Sequence, residues 1–165
     1  MTGSVFSTFR RLRRDEGGAA LVEFALILPM ALVIFGVVIE GSRLFWSYQA
    51  TIAGVRDAAR YVGRSVQTDI CNTGGTLSDW SATLEDIVRE SSDGSELFPT
   101  TIKVTSVNAT LECVAGDFRL TATPIATVTA ILEITYPFQG LFTFAGVSLP
   151  TATTTVADSS RIFGA

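Results

Sequence analysis

The sequence predicts an α+β fold in which one long N-terminal helix packs on a small antiparallel β-sheet domain. Three observations lead to this class: an apolar run near the N-terminus, an apolar stripe at helical spacing directly after it, and Thr- and Val-rich runs in the second half of the chain. The 165 residues are enough for one domain and a short appendage, but not for two full domains.

Composition excludes several classes of function. Charged residues make up 17% of the chain and apolar residues 47%, whereas soluble domains carry roughly 25% charged residues. The chain has no histidine, which removes the commonest general base and the commonest zinc ligand. The net charge of −4 disfavours nucleic acid as a partner, because phosphate binding needs a clustered basic surface. We therefore expect no catalytic residues, no metal and no cofactor.

The apolar excess lies in a 21-residue run, 19–39, whose one ionisable member is Glu23. As a helix this run is about 31 Å long at ~1.5 Å per residue, enough to cross a hydrocarbon core of ~30 Å. A buried core helix is rarely apolar on all of its faces. The run therefore predicts a transmembrane helix in contact with the lipid bilayer.

Charge predicts the orientation of this span. Residues 1–16 have a net charge of +2 from four arginines and two acidic residues, whereas residues 17–165 have a net charge of −6. Only Arg43 follows the run closely. The positive-inside rule then places the N-terminus in the cytoplasm and the segment after residue 40 outside it.

The two cysteines, Cys71 and Cys113, lie in the exported part. A disulfide is the default for a lone pair in an oxidising compartment. Closing the 43-residue loop between them would stabilise the fold by about 4 kcal/mol in the chain-entropy model. Two unpaired buried thiols are the alternative.

A helical pattern continues beyond the apolar run. Six apolar residues recur at spacings of three and four and form one stripe: Leu44, Tyr48, Ile52, Val55, Ala59 and Val62. Arg56, Arg60 and Arg64 stand on another face, which is typical of a solvated surface. The pattern predicts a single helix from about residue 17 to 64, roughly 70 Å long. A removable secretory signal does not continue into such a helix.

The junction before the run carries the most specific motif. A basic leader, RRLRRDEGG, ends at Gly18, and the block VEFALILP follows with Glu23, Phe24 and Pro29 in it. Together with Ala-Ala-Arg at 58–60, this pattern resembles the TadE/TadG-like pseudopilins of the Tad (tight adherence) type IV pilus system. The resemblance covers about residues 10–64.

The resemblance implies roles for these residues. The prepilin peptidase, a membrane aspartyl protease, would cut between Gly18 and Ala19. Glu23 would then pair with the N-terminal amine of an adjacent subunit, with Phe24 beside it in the assembly motif. Alternatively, Glu23 lies one turn inside the helix, where it can reach the headgroups and the positive end of the helix dipole.

Pro29 removes one backbone hydrogen bond in mid-span and is expected to bend or locally melt the helix. A functional interpretation is that the helix stretches at this point as it leaves the bilayer for a filament. A simple kink that the helix tolerates is the alternative.

The second half of the chain predicts a small α+β domain. A short helix is expected over 78–90, followed by strands over 101–107, 109–114, 118–136 and 147–156. Pro124 is expected to divide or bulge the third run, and Gly116 with Asp117 marks a hairpin turn. We expect three to five strands, with the amphipathic half of the long helix on one face.

These observations together predict a cytoplasmic leader at 1–18, a transmembrane and then amphipathic helix at 19–64, and a periplasmic α+β domain at 65–165. The function that the resemblance implies is that of a minor pilin in the bacterial inner membrane. Its expected partners are the prepilin peptidase, other pilins and pseudopilins, and the inner-membrane pilus assembly platform. A permanently anchored periplasmic binding or sensor domain, without leader processing, is the alternative.

Overall fold

A computed structural model describes residues 16–90, 97–116 and 122–164 of the chain. Its dominant element is the helix α1, Glu16–Ser65, which is 50 residues long and continues through Pro29. Most of the predicted leader, the segment 91–96 and Asp117 of the predicted hairpin turn lie outside the described residues.

Seven shorter elements follow α1 along the described chain. They are α2 (Ile70–Thr73), a 3₁₀ turn (Ser78–Trp80), α3 (Ser81–Arg89), β1 (Ile102–Ala115), β2 (Ala122–Ile134), α4 (Gln139–Phe144) and β3 (Ala152–Arg161). The helix predicted over 78–90 is therefore present, as the 3₁₀ turn followed by α3.

The three strands form one antiparallel sheet in the order β1-β2-β3. In the middle of the sheet Asn108 lies opposite Thr129, and Val128 lies opposite Asp158. The predicted α+β class, with a long N-terminal helix and a small antiparallel sheet, is confirmed.

The core lies between one face of the sheet and the C-terminal half of α1. Alternate residues of β2 point into it, as the two-residue period of a strand requires. The other face of β2 is richer in threonine, which is typical of a sheet covered on one side only. The buried residues of this core include Val55, Ala58, Ala59, Val62, Leu84, Val88, Ala126, Val128, Ala130 and Leu132.

The predicted apolar stripe is confirmed at every position except Tyr48. Val55, Ala59 and Val62 are buried, Leu44 and Ile52 are half-buried against the core, and Tyr48 is exposed. In place of Tyr48, the small polar residues Ser47 and Thr51 line the buried face. The Thr51 hydroxyl donates a hydrogen bond of 2.8 Å to the Ser47 carbonyl, which satisfies it inside the helix.

The strand boundaries differ from the predicted ones in three places. The two runs 101–107 and 109–114 form one strand, β1, with an irregularity in its pairing between Val104 and Ser106. Pro124 neither divides nor ends β2: it lies opposite Cys113, one residue before β2 begins to pair with β3, where a missing N–H does not interrupt the ladder. The last strand begins at Ala152, since residues 139–144 are helical and Pro150 precedes the strand.

Two glycines bring α1 close to its neighbours. A Cβ at Gly54 would lie 3.1 Å from the Val88 Cα of α3. A Cβ at Gly63 would lie 2.7 Å from the Ser160 Oγ and 2.9 Å from the Arg161 carbonyl oxygen of β3. The helix therefore contacts backbone, and any side chain at Gly63 requires β3 to move away.

We expect Gly63→Ala to destabilise the protein by about 1–3 kcal/mol, the usual cost of overpacking. The matched control is Gly41→Ala in the same helix, where a Cβ would meet no described atom within 4 Å. Alanine should stabilise the helix at that position by roughly 0.5–1 kcal/mol. Thermal unfolding of the full chain in detergent measures both; equal changes for the two variants would contradict the close packing of α1 on β3.

Cys71 and Cys113 are joined by a disulfide with a Cα–Cα distance of 5.8 Å. The bond links α2 to the end of β1 that lies farthest along α1 from the apolar run. The pairing that the sequence predicts therefore fits the geometry of the domain.

We expect both thiols to resist alkylation in the native protein until a reductant is added. Removing the bridge with Cys71→Ser and Cys113→Ser should lower the free energy of unfolding by about 4 kcal/mol. Alkylation of cell-derived protein, with and without reductant, is the measurement. Ready labelling of the unreduced protein would show that the cysteines are unpaired and would weaken the predicted export of the domain.

Candidate functional site

The N-terminal half of α1 is an apolar helix that the domain leaves uncovered. It is the one described helix that is long and apolar enough to cross a membrane, and only 6% of its most apolar stretch is buried. A core helix of a soluble protein would be mostly buried. Exposed large side chains cover all sides of it, among them Leu21, Leu26, Met30, Ile34, Phe35 and Val38.

Gly18 and Ala19 lie in the first turns of this helix and are exposed. A Cβ at Gly18 would meet no described atom within 4 Å, and its φ is not in the left-handed region. Unlike Gly54 and Gly63, Gly18 is therefore not required by the packing of the described residues.

Glu23 and Phe24 are exposed on the same helix, and Phe24 is 64% exposed. Ala19 and Glu23 stand four residues apart, so they lie on one face. No described residue provides a hydrogen-bond or ion-pair partner for the Glu23 carboxylate. An unpaired carboxylate within an apolar span costs roughly 2.5–3.5 kcal/mol near the bilayer centre. The described residues therefore leave the Glu23 carboxylate open to a partner or to the headgroups.

The domain is attached to α1 where the apolar run ends. The Phe138 N–H donates a hydrogen bond of 3.0 Å to Glu40 Oε1, and Arg43 Nη2 donates one of 3.0 Å to the Thr101 hydroxyl. These are the first charged residues after the run, and both are engaged by the domain.

An apolar contact lies one turn before these bonds. A Cβ at Gly36 would lie 3.0 Å from Leu141 Cδ2 and 3.7 Å from Phe142 Cζ. The helix α4 therefore packs on the last turn of the apolar run. The sequence predicts neither α4 nor a tertiary role for Gly36, so this contact was not expected.

Aromatic residues surround this junction. Phe45 and Trp46 are 65% and 77% exposed directly after the attachment point. Aromatic side chains are enriched where a transmembrane helix meets the membrane–water interface. Their position fits a membrane boundary near residue 40.

The arginine face of α1 carries few strong contacts. Arg56 lies 3.7 Å from Asp158 of β3, and Arg60 lies 3.9 Å from Asp57, all with side chains more than two-fifths exposed. Exposed pairs of this kind contribute little to stability. Arg56, Arg60 and Arg64 thus form a largely solvated face.

The described part of the chain contains no cluster of metal-ligating side chains. Within residues 16–90, 97–116 and 122–164, no group of three Cys, Asp or Glu side chains is placed to hold a metal ion. The two clefts beside Phe98 and Pro99 are lined mainly by apolar groups and by Arg43, Arg89 and Lys103. What these residues offer is surface for contact, not an acid–base pair.

A comparison with models of protein families finds a match in the long helix. The model of the TadE-like protein family matches residues 18–60, which run from the glycine of the motif to Arg60. No curated protein and no solved structure matches the chain. Residues 18–60 of this chain are therefore similar to the TadE-like protein family over the long helix α1.

Proposed function

We propose that the protein is a minor pilin, or pseudopilin, that takes part in assembly of a Tad-type pilus. The observation that carries this proposal is the exposed apolar half of α1, with Glu23 about one turn after Ala19 and without a partner among the described residues. A folded domain with the strands β1, β2 and β3 follows the span. A major pilin of such a system needs little more than the helix, so the domain favours a minor subunit. In this arrangement the domain at the C-terminal end of α1 is available for contacts with other subunits, while the N-terminal half of α1 lies in the bilayer.

Leader cleavage would create the partner that Glu23 lacks. Cutting after Gly18 leaves Ala19 with a free ammonium group at the end of the helix. The ammonium of one subunit and the Glu23 carboxylate of its neighbour form an ion pair across two apolar helices, where the low dielectric strengthens it. The pair fixes the axial position of one helix against the next.

The peptidase reaches this bond only if the backbone around residue 18 opens. Glycine favours this, because it has no side chain and destabilises helix by about 0.5–1 kcal/mol relative to alanine. The absence of any packing requirement at Gly18 among the described residues supports the same role.

The location follows from the span and its flanks. The N-terminus faces the cytoplasm of a bacterial cell, α1 crosses the inner membrane and the domain lies in the periplasm. The disulfide between Cys71 and Cys113 supports an oxidising compartment for the domain. The prepilin peptidase, other pilins and the assembly platform are the partners within reach of this helix.

An anchored periplasmic sensor is the second candidate, and one observation favours it: the domain has its own disulfide-linked core. A sensor needs the apolar run only as an anchor. It keeps residues 1–18 and does not depend on Glu23.

An exchange of anchors tests the proposal. In cells that lack the native chain, we express wild type and a chimera in which residues 16–39 are replaced by an unrelated apolar span of the same length. Wild type should restore pilus formation, and the chimera should insert, form the disulfide and fail to restore it. Restoration by the chimera would show that the run is only an anchor and would overturn the pseudopilin assignment.

A further inference from the structure

The segment between β2 and β3 is uncharged and unusually apolar for a surface connection. Residues 134–157 contain no Asp, Glu, Lys or Arg. Within them, α4 has the sequence QGLFTF, with Phe138 before it and Val147 after it. Surface connections in soluble domains are usually polar, so this composition needs a reason.

The apolar side chains of this segment divide into two sets. Phe142 is buried and lies with Leu141 against Gly36 of α1. Phe144 is 80% exposed and Val147 is 49% exposed. The first set attaches the segment to α1, and the second set is presented to the surroundings.

The attachment point sets the depth of the segment. Gly36 lies three residues before the end of the apolar run at Ile39, which is about 4.5 Å along a helix axis. Interfacial helices lie with their apolar face about 5–10 Å into the boundary between headgroups and acyl chains. If α1 crosses the bilayer with its boundary at Ile39, α4 is held close to the shallow limit of this range.

The backbone of the segment is also suited to this environment. The N–H groups of Leu141, Phe142, Ala145, Gly146 and Val147 all donate to carbonyls within the segment. The Thr143 hydroxyl donates a hydrogen bond of 2.8 Å to the Gln139 carbonyl. Polar groups that are satisfied internally can enter the interface without the cost of an unpaired donor.

We propose that α4 and the residues beside it, 138–147, form an interfacial foot that inserts Phe144 and Val147 into the outer leaflet of the membrane that α1 crosses. This inference rests on the proposed function, because it requires that the apolar run spans a bilayer. The ligand is a lipid surface. Since the segment has no basic residue, its insertion does not depend on anionic headgroups.

The foot gives the domain a defined orientation. The bonds of Glu40 to Phe138 and of Arg43 to Thr101 hold the sheet end against α1. With α4 in the leaflet, the domain has a second point of contact with the membrane and cannot rotate freely about the exit of α1. Extraction of the helix into a filament must also remove the foot from lipid.

Three single-tryptophan variants of the full chain test this inference. In a background with Trp46→Phe and Trp80→Phe, one tryptophan is placed at Phe144, at Phe163 or at Phe35. Phe163 is the matched control, since it is an exposed phenylalanine, 69% exposed, at the opposite end of the sheet. Phe35 reports on the span itself. Each protein is reconstituted in phosphatidylcholine vesicles with and without bromine on the acyl chains.

With the foot inserted, the tryptophans at 144 and 35 lose at least half of their emission in brominated vesicles. The tryptophan at 163 does not, and is quenched by aqueous acrylamide instead. Adding anionic lipid leaves the pattern at 144 unchanged.

Two outcomes would overturn the interfacial foot. In both, the tryptophan at 35 is still quenched by bromine, so the membrane span itself is retained. In one, the tryptophan at 144 is quenched by acrylamide as fully as that at 163. In the other, it is shielded from both quenchers, which shows a protein surface over α4. If the tryptophan at 35 is not quenched by bromine, the span itself is wrong, and the foot falls with it.

Discussion

Replacing Glu23 with glutamine is expected to abolish pilus assembly while membrane insertion and leader cleavage stay normal. The change removes the charge and keeps the size of the side chain, so the helix becomes more favourable in lipid. Gly18 is unchanged, so the peptidase still finds its substrate. What the variant loses is the proposed ion pair with the Ala19 ammonium of a neighbouring subunit.

Glu23→Asp is the matched control, because it keeps the charge and shortens the side chain by one methylene. We expect it to retain part of the assembly that glutamine abolishes. Pilus counts and cross-linking to other pilins are the readouts, with cleavage and membrane fractionation measured in the same cells. Normal assembly by Glu23→Gln would reduce this residue to an interfacial carboxylate and remove its role in subunit register.

Placing valine at Gly18 is expected to leave the leader attached in cells that contain the prepilin peptidase. A branched side chain obstructs an extended backbone in a protease cleft and restricts χ1. The described fold does not oppose the change, because a Cβ at this position has no neighbour within 4 Å. Any defect is therefore a defect of processing and not of folding.

Gly17→Ala provides the comparison for this variant, since the adjacent glycine is not at the predicted cut. Wild type and Gly17→Ala should run faster on a gel than Gly18→Val by about the mass of the leader. Equal mobility of all three proteins at full length would show that no processing occurs at this junction.

The long helix, the disulfide and most of the strands could be predicted from the sequence, because the signals for them are local. The run 19–39, apolar except for Glu23, and the spacings of three and four after it predict one helix whatever it packs against. The pairing of Cys71 with Cys113 needed only their number and their compartment. Alternation of Thr and Val marked the three strands, although it did not show that β1 is continuous through Asn108.

The contacts between elements could not be predicted, because small residues carry them. Ser47 and Thr51 are buried on α1, and Gly54 and Gly63 bring the helix close to α3 and β3. A hydrophobic pattern does not detect small residues of this kind. The predicted stripe therefore included Tyr48, which is exposed, and omitted Ser47 and Thr51, which are buried. Close approach of backbones is a tertiary property that the sequence of α1 alone does not contain.

The helix α4 was missed for a related reason. Its residues, Phe, Leu and Thr, have high or neutral β-propensity, and propensity is weak against tertiary context. The contact of Leu141 and Phe142 with Gly36 spans more than a hundred residues of sequence. The uncharged run 134–157 was the signal that could have identified this segment.

The mature N-terminus tests the central claim most directly. Mass analysis of the protein extracted from membranes of cells with an active prepilin peptidase should give an N-terminal peptide that begins with Ala19. The same cells without the peptidase should give a chain that retains residues 1–18. A protein that keeps its leader in both cells would contradict the pseudopilin assignment and would leave an anchored periplasmic domain as the function of this chain.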